Sequence, residues 1–300
     1  MKKLLFYLRV IGIVILIYIL STLQYKKLFH ILLSVDLKYI TIYICAFVMF
    51  AYFRALRFKL ILNHYGAYPP ILDVYGSTLE SQYLALVTPS NIGETVKILF
   101  LNEKANVPKR VGTISYIYDR FQDLYFMVIL GAISFIFILK LPLNIYFIIF
   151  SVVIIVLFLS RNYLLTKIAN KFKIEHFKRL DLKTDMILFF VNIVIYIFYF
   201  LQYYLLALAL HIHISFLYLS AVSTIGTLAA IIPISISGMG VREGIFIYYL
   251  QKIHVSKESA FLLSFLDGMA FSILLTLLQH ILYKLALYFL SRRKHSQIKT

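Results

Sequence analysis

The stretch from Ile232 to Gly244, IPISISGMGVREG, decides how this chain folds. It sets a proline, serines, glycines and the adjacent charges Arg242 and Glu243 into a long apolar run. From Met186 to Val241 there is no Asp, Glu, Lys or Arg at all. Surroundings of that kind are lipid rather than water, and ionisable groups at such a depth are costly.

Composition sets the same frame for the whole chain. Over 300 residues it is 62% hydrophobic and only 14% charged, with a mean hydropathy of +0.87. A soluble domain of this size would lack the polar surface to cover itself, so the fold class is an all-α polytopic membrane protein. The apolar residues form continuous runs, not alternating segments of about ten residues, which excludes a transmembrane barrel. The formal charge of +17 is scattered between apolar segments, so its partners are anionic lipid headgroups and not nucleic acid. Cys45 is the one cysteine, which rules out an internal disulfide and a cysteine metal site. Lys2, Lys3 and Arg9 give the start a signal-like look, but no small-residue cleavage site follows, and we read a retained first helix.

A span needs about 20 mostly apolar residues. Leu4–Tyr25 predicts helix one, Tyr39–Phe53 the core of helix two, Leu124–Leu139 helix three, Leu141–Ser160 helix four, Met186–Leu210 helix five and Ser259–Tyr283 helix six. Two further apolar segments are interrupted, one by TPSNIGETVK at 88–97 and the other by the opening stretch. Each predicts a re-entrant pair of half-helices. Arg161–Asp185 is the one strong polar linker, and a basic tail follows Lys284. With the amino terminus inside, most of the 30 Lys and Arg fall on the cytoplasmic side, as the positive-inside rule requires. Both termini are therefore expected in the cytoplasm, with the protein in the cell membrane.

The layout repeats. Helix two, the first broken pair and helix three match helix five, the second broken pair and helix six, and Pro89 to Pro233 has the same offset as Asp123 to Asp267. We expect one transmembrane domain over residues 1–290, built of two inverted repeats at about 1–140 and 141–285, followed by a basic tail at 291–300. Inverted repeats with interruptions at corresponding positions are a transporter signature, with the site between them.

Several residues could carry a ligand there. Gly238, Gly240 and Gly244 suit tight turns and close backbone approach, and the amides opening the helix after Gly240 could face an anion. Arg242 offers a fork suited to phosphate, with Glu94 and Glu243 to balance it. Lys97, Arg120 and Asp123 complete the candidate substrate-binding set, and Pro89, Gly93 and Pro233 shape the breaks. Structural alternatives stand beside this. Arg242 and Glu243 could neutralise each other, Glu94 and Lys97 could be an ordinary i, i+3 pair, and Asp119, Arg120 and Asp123 could mark a helix start at headgroup level. His211 and His213 read as solvated loop histidines, so no metal is expected, and no cofactor motif is present.

TPSNIGETVK at 88–97, YDRFQDL at 118–124 and PISISGMGVREG at 233–244 resemble the lysylphosphatidylglycerol synthase transmembrane-region family of flippase-like proteins, over nearly the whole chain. The resemblance implies a domain that moves a lipid between leaflets, such as an anionic or aminoacylated phospholipid or a lipid-linked sugar. It carries Pro89, Gly93, Glu94, Arg120, Asp123, Gly238, Gly240, Arg242 and Glu243 as motif residues. The best-known members fuse this region to a soluble aminoacyltransferase domain, which these 300 residues do not contain, so the expectation is a translocase and not an enzyme. The alternatives are a non-transporting partner of a synthase or glycosyltransferase, and a membrane enzyme acting on headgroups.

Overall fold

A computed structural model describes residues 2–139, 180–231 and 238–297, together with Val152, Val156, Tyr163 and Lys167. Most of helix four, most of the linker and Pro233 lie outside the described residues. Among those described there is no strand, and the helices are α1 (Lys2–Ser21), α2 (Tyr25–Leu33), α3 (Leu37–His64), α4 (Ile71–Val87), α5 (Lys97–Ala105), α6 (Lys109–Leu139), α7 (Leu182–Ala209), α8 (Phe216–Ile231), α9 (Val241–Gln251), α10 (Lys257–Phe265) and α11 (Ser272–Gln297).

Local chemistry sets these boundaries. Asp36 caps α3 by accepting from the Lys38 N–H at 2.9 Å, and Asp181 caps α7 through the Thr184 N–H at 3.1 Å. Such caps satisfy amides that have no partner within the helix. α3 ends where Gly66 adopts a left-handed φ of 83° and Pro69 follows. α3, α7 and the continuous run Lys257–Tyr288 are long and apolar enough to span a bilayer. At 28 residues, α3 and α7 each reach about 42 Å at the usual 1.5 Å rise. Their outward faces carry Ile42, Val48, Met49, Phe190, Ile193 and Ile197, all exposed. Apolar side chains along the outside of the bundle belong against lipid, and the molecule is an all-α membrane protein.

The first span differs from expectation. Gly12–Ser21 and Tyr25–Leu33 meet at 88°, so helix one turns sharply and α2 occupies what the sequence suggests is loop. Lys26 and Lys27 start that short helix, and Lys27 pairs with Glu258 at 3.0 Å. At the other terminus α11 continues through Gln297, past the expected start of a free tail.

α3 and α7 pack along their whole lengths and run antiparallel. The Asp36 N–H donates to the Ala209 carbonyl at 3.0 Å, while His64 Nδ1 lies 3.6 Å from Asp181 at the other end. One end of the bundle thus gathers Thr22, Lys27, Ser34, His211, Lys257 and Glu258, and the opposite end gathers His64, Glu80, Lys104, Asp181 and Lys284. The sequence layout assigns Lys27 and Lys257 to one side of the membrane and Lys104 and Lys284 to the other. α6 packs on α8, and α11 packs on α4, an exchange of roles between the two halves.

Both predicted interruptions are present. After α4, residues Pro89–Val96 tighten into a 3-10 helix, where the Thr88 hydroxyl accepts from the Gly93 N–H at 2.8 Å and donates to the Leu84 carbonyl at 2.9 Å. Gly93 sits so near the Leu84 carbonyl that a methyl group would overlap it. Between α8 and α9 the chain turns through Gly238 and Gly240, with φ of 80° and 81°, a region where side chains are strained. Gly240 also presses on the α1 backbone at Gly12. Gly244 takes part in neither turn nor close approach, because nothing lies within 4 Å of where its Cβ would stand. A third irregularity joins α10 to α11, where Leu266–Phe271 winds as a π-helical turn.

Candidate functional site

The motif residues fall into two buried charged sets near opposite ends of the bundle. The larger is built on α3, the 3-10 turn, α5, α6 and α7. Arg57 is its centre and is wholly buried. Its Nε donates to Asp119 Oδ1 at 2.8 Å, its Nη1 donates to Asn192 Oδ1 at 2.7 Å, and Nη1 also lies 2.6 Å from Asp123. Lys97 Nζ donates to Asp119 Oδ2 at 3.0 Å and stands 3.5 Å from Glu94. Its ammonium also sits 4.0 Å from the Phe58 ring centroid, which stabilises a desolvated cation. Arg120 reaches Glu94 at 2.7 Å, Asp119 at 2.9 Å and Asp123 at 3.0 Å, and Arg54 reaches Glu94 at 2.9 Å.

The charge of this set does not cancel. Among the described residues, Arg54, Arg57, Lys97 and Arg120 face Glu94, Asp119 and Asp123, which leaves one cation in excess when all are ionised. Its floor is sealed, since Arg57 and Asp119 are 0% and 2% exposed as side chains. Its rim is open, since Arg120 and Asp123 are 29% and 27% exposed. An anion reaching that rim would meet guanidinium groups suited to two-pronged contact with phosphate or carboxylate.

The smaller set lies on α3, α7, α9, α10 and the π-turn. Glu243 Oε2 accepts from the Gly240 N–H at 2.6 Å, and Glu243 Oε1 takes Arg242 Nη2 at 3.2 Å and the Ser264 hydroxyl at 3.3 Å. The amide proposed to face an anion is therefore occupied by the helix's own glutamate, which also neutralises Arg242. The Arg242 guanidinium rests against Gly268, and next to it Asp267 accepts from the Tyr43 hydroxyl at 2.9 Å. The Ser272 hydroxyl donates to the Asp267 carbonyl at 2.6 Å, satisfying a backbone group that the π-turn displaces.

The sequence reading places both motifs around one cavity, and the structure separates them. Glu94, Lys97, Arg120 and Asp123 come together, while Arg242 and Glu243 bond to each other. Arg57 stands about 10 Å from one end of α3 and Tyr43 about 9 Å from the other, by the rise per residue. On α7, Asn192 serves the first set and Tyr203 the second, about 16 Å apart on the same measure. Tyr196, Tyr199 and Tyr203 fill the interval, with successive ring centroids 6.1 and 5.4 Å apart. Tyr196 donates to the Asp123 carbonyl at 3.2 Å.

Two corrections concern α6 and α3. Asp119, Arg120 and Asp123 do not mark a helix start, because α6 begins at Lys109; the helix runs through these charges since α3 and α5 supply their counterions. Arg54 and Arg57 lie just beyond the Tyr39–Phe53 core expected for helix two, yet Arg57 is the most enclosed member of the site. Their i, i+3 spacing, which puts both on one face of α3, is the signal that points to them. Asn192, a lone amide within an uncharged run, is the corresponding signal on α7.

Among the described residues no group of three or more His, Cys, Asp or Glu is placed to hold a metal ion. His211 donates to the Ser34 carbonyl at 2.8 Å at the end of the bundle.

Fold and sites together define an integral membrane protein that buries ion-pair networks at two depths beside broken helices. The chain belongs to the lysylphosphatidylglycerol synthase TM region family, whose description matches residues 5–270. No curated protein matches it. The family places it in a lipid-related membrane setting.

Proposed function

We propose that this protein is a lipid translocase that admits a phosphate-bearing headgroup to the Arg54–Arg57–Lys97–Arg120 site while the acyl chains stay in the bilayer. The observation that carries this reading is the excess of one cation over the carboxylates, among the described residues, in a buried set whose rim is open. A network kept only for packing would gain nothing from the excess, because net charge in a buried set costs several kcal/mol. Membership of a lipid-related family supports the same substrate class.

On this reading the two halves form inverted repeats. Antiparallel α3 and α7, and the exchanged contacts α6 on α8 and α11 on α4, are what a two-fold axis in the membrane plane would produce. The Arg242–Glu243–Asp267 set then belongs to the opposite leaflet and is the second station of a rocking motion. We place the protein in the cell membrane with both termini cytoplasmic, following the basic residues, and assign it transport without catalysis.

Reconstitution into liposomes with a fluorescent anionic phospholipid tests the proposal. Wild type should move the lipid between leaflets, and Arg120→Ala should lose most of that movement while eluting as folded protein. Undiminished movement by Arg120→Ala would sink the site assignment, and a chemically altered lipid would show an enzyme instead.

A further inference from the structure

A separate polar seam runs between α4 and α11, sharing no residue with either charged set. Among the described residues, four buried side-chain atoms on the α11 side of this interface have no hydrogen-bond partner: Thr276 Oγ1, Gln279 Nε2, His280 Nδ1 and the Tyr283 hydroxyl. Thr276 is wholly buried, and Gln279 and Tyr283 are 7% and 5% exposed. Leaving such groups unpaired is costly, at about 1–3 kcal/mol each. Their neighbours behave otherwise. Thr78 and Ser81 turn their hydroxyls back to the Val74 and Thr78 carbonyls, the usual outlet for a hydroxyl inside a helix.

The seam is held in shape. The Tyr75 hydroxyl donates to Gln279 Oε1 at 2.9 Å, which turns the amide nitrogen away as a free donor. The Tyr283 phenol lies on Gly76, where any Cβ would overlap it. At the mouth, Glu80 is shared by two lysines, Lys104 at 2.6 Å and Lys284 at 3.2 Å. The Lys104 ammonium also stands 5.8 Å from the Tyr283 ring centroid. One carboxylate thus serves two cations, one of which is half exposed.

Hydroxyl and amide donors behind paired ammonium groups suit an oxyanion. We propose that this seam is a second phosphate site, taking either the phosphodiester of a membrane lipid whose chains lie along α11 or free phosphate. Lys104 and Lys284 bind its charge, with the Gln279 amide and the Tyr283 hydroxyl donating to its oxygens. The proposal does not depend on translocation.

Native mass spectrometry of the purified full chain tests it, using dioleoyl phosphatidylglycerol, diacylglycerol with the same chains, and inorganic phosphate. Wild type should retain phosphatidylglycerol under conditions that strip diacylglycerol. Lys104→Ala combined with Lys284→Ala should weaken one lipid adduct by about tenfold or more, the effect of losing a charged hydrogen bond, and Lys→Arg at both positions should keep it. Displacement by inorganic phosphate identifies free phosphate as a ligand of the same site, and resistance to it assigns the lipid. Equal retention of diacylglycerol, or an unchanged adduct in the double alanine variant, overturns the proposal. If that variant does not elute as folded protein, Gln279→Leu with Tyr283→Phe repeats the test without touching a charge.

Discussion

Arg242 rests its guanidinium on Gly268, so closely that a methyl group at residue 268 would overlap it. The opening motif and the π-turn are therefore one unit. Gly268→Ala must expel Arg242 from Glu243 and Ser264, leaving buried charge unpaired at a cost of about 3–5 kcal/mol. A thermal unfolding series in detergent should show Gly268→Ala strongly destabilised, and wild-type stability in that variant would contradict the packing described.

Arg57 should be the least replaceable residue of the larger site. It holds two carboxylates and Asn192 from a fully buried position, so Arg57→Ala should lose about 3–5 kcal/mol and yield little folded protein. Arg54→Ala, at a site 15% exposed with one partner, should fold and lose transport. Comparing yield and thermal midpoint with lipid movement separates the two roles.

The glycines of the second motif make opposite predictions. Gly240→Ala meets the α1 backbone and a positive φ and should release α1 from the bundle. Gly244→Ala points into open space inside α9 and should leave stability unchanged or raise it by about 0.5–1 kcal/mol, the usual helix preference for alanine. Protease sensitivity of the α1 connection and the thermal midpoint report these outcomes.

Sidedness can be read directly. After replacement of the exposed Cys45, single cysteines at Lys104 and Lys257 should label from opposite faces of sealed vesicles. Labelling from one face would refute the inverted layout.

Asp181 gives a pH dependence outside the spans. Hydrogen bonds from Thr184 hold its carboxyl below the usual aspartate value. Its contribution is complete above the unfolded pKa and fades as pH falls through the lower folded one. Asp181→Asn keeps a capping acceptor without the charge, so the Thr184 amide should exchange with hydrogen at a rate that no longer rises specifically over that acidic interval.

The sequence by itself determined the membrane class, the three long spans, both helix breaks and the grouping of loop charges at two ends. Those properties follow from apolar run length, from proline and glycine geometry, and from the cost of charge in lipid, all of which act locally along the chain. Tertiary structure alone decided which charges meet. Arg57 and Asp119 are far apart in sequence, and nothing in their own neighbourhoods shows that α3 and α6 pack with those side chains facing. The same holds for IPISISGMGVREG. Its charges read as a phosphate cradle facing TPSNIGE, yet Glu243 reaches back three residues to satisfy Gly240 and Arg242, because a buried helix start takes the nearest acceptor available. Among the described residues, the cations outnumber the carboxylates instead where α3, α5 and α6 converge.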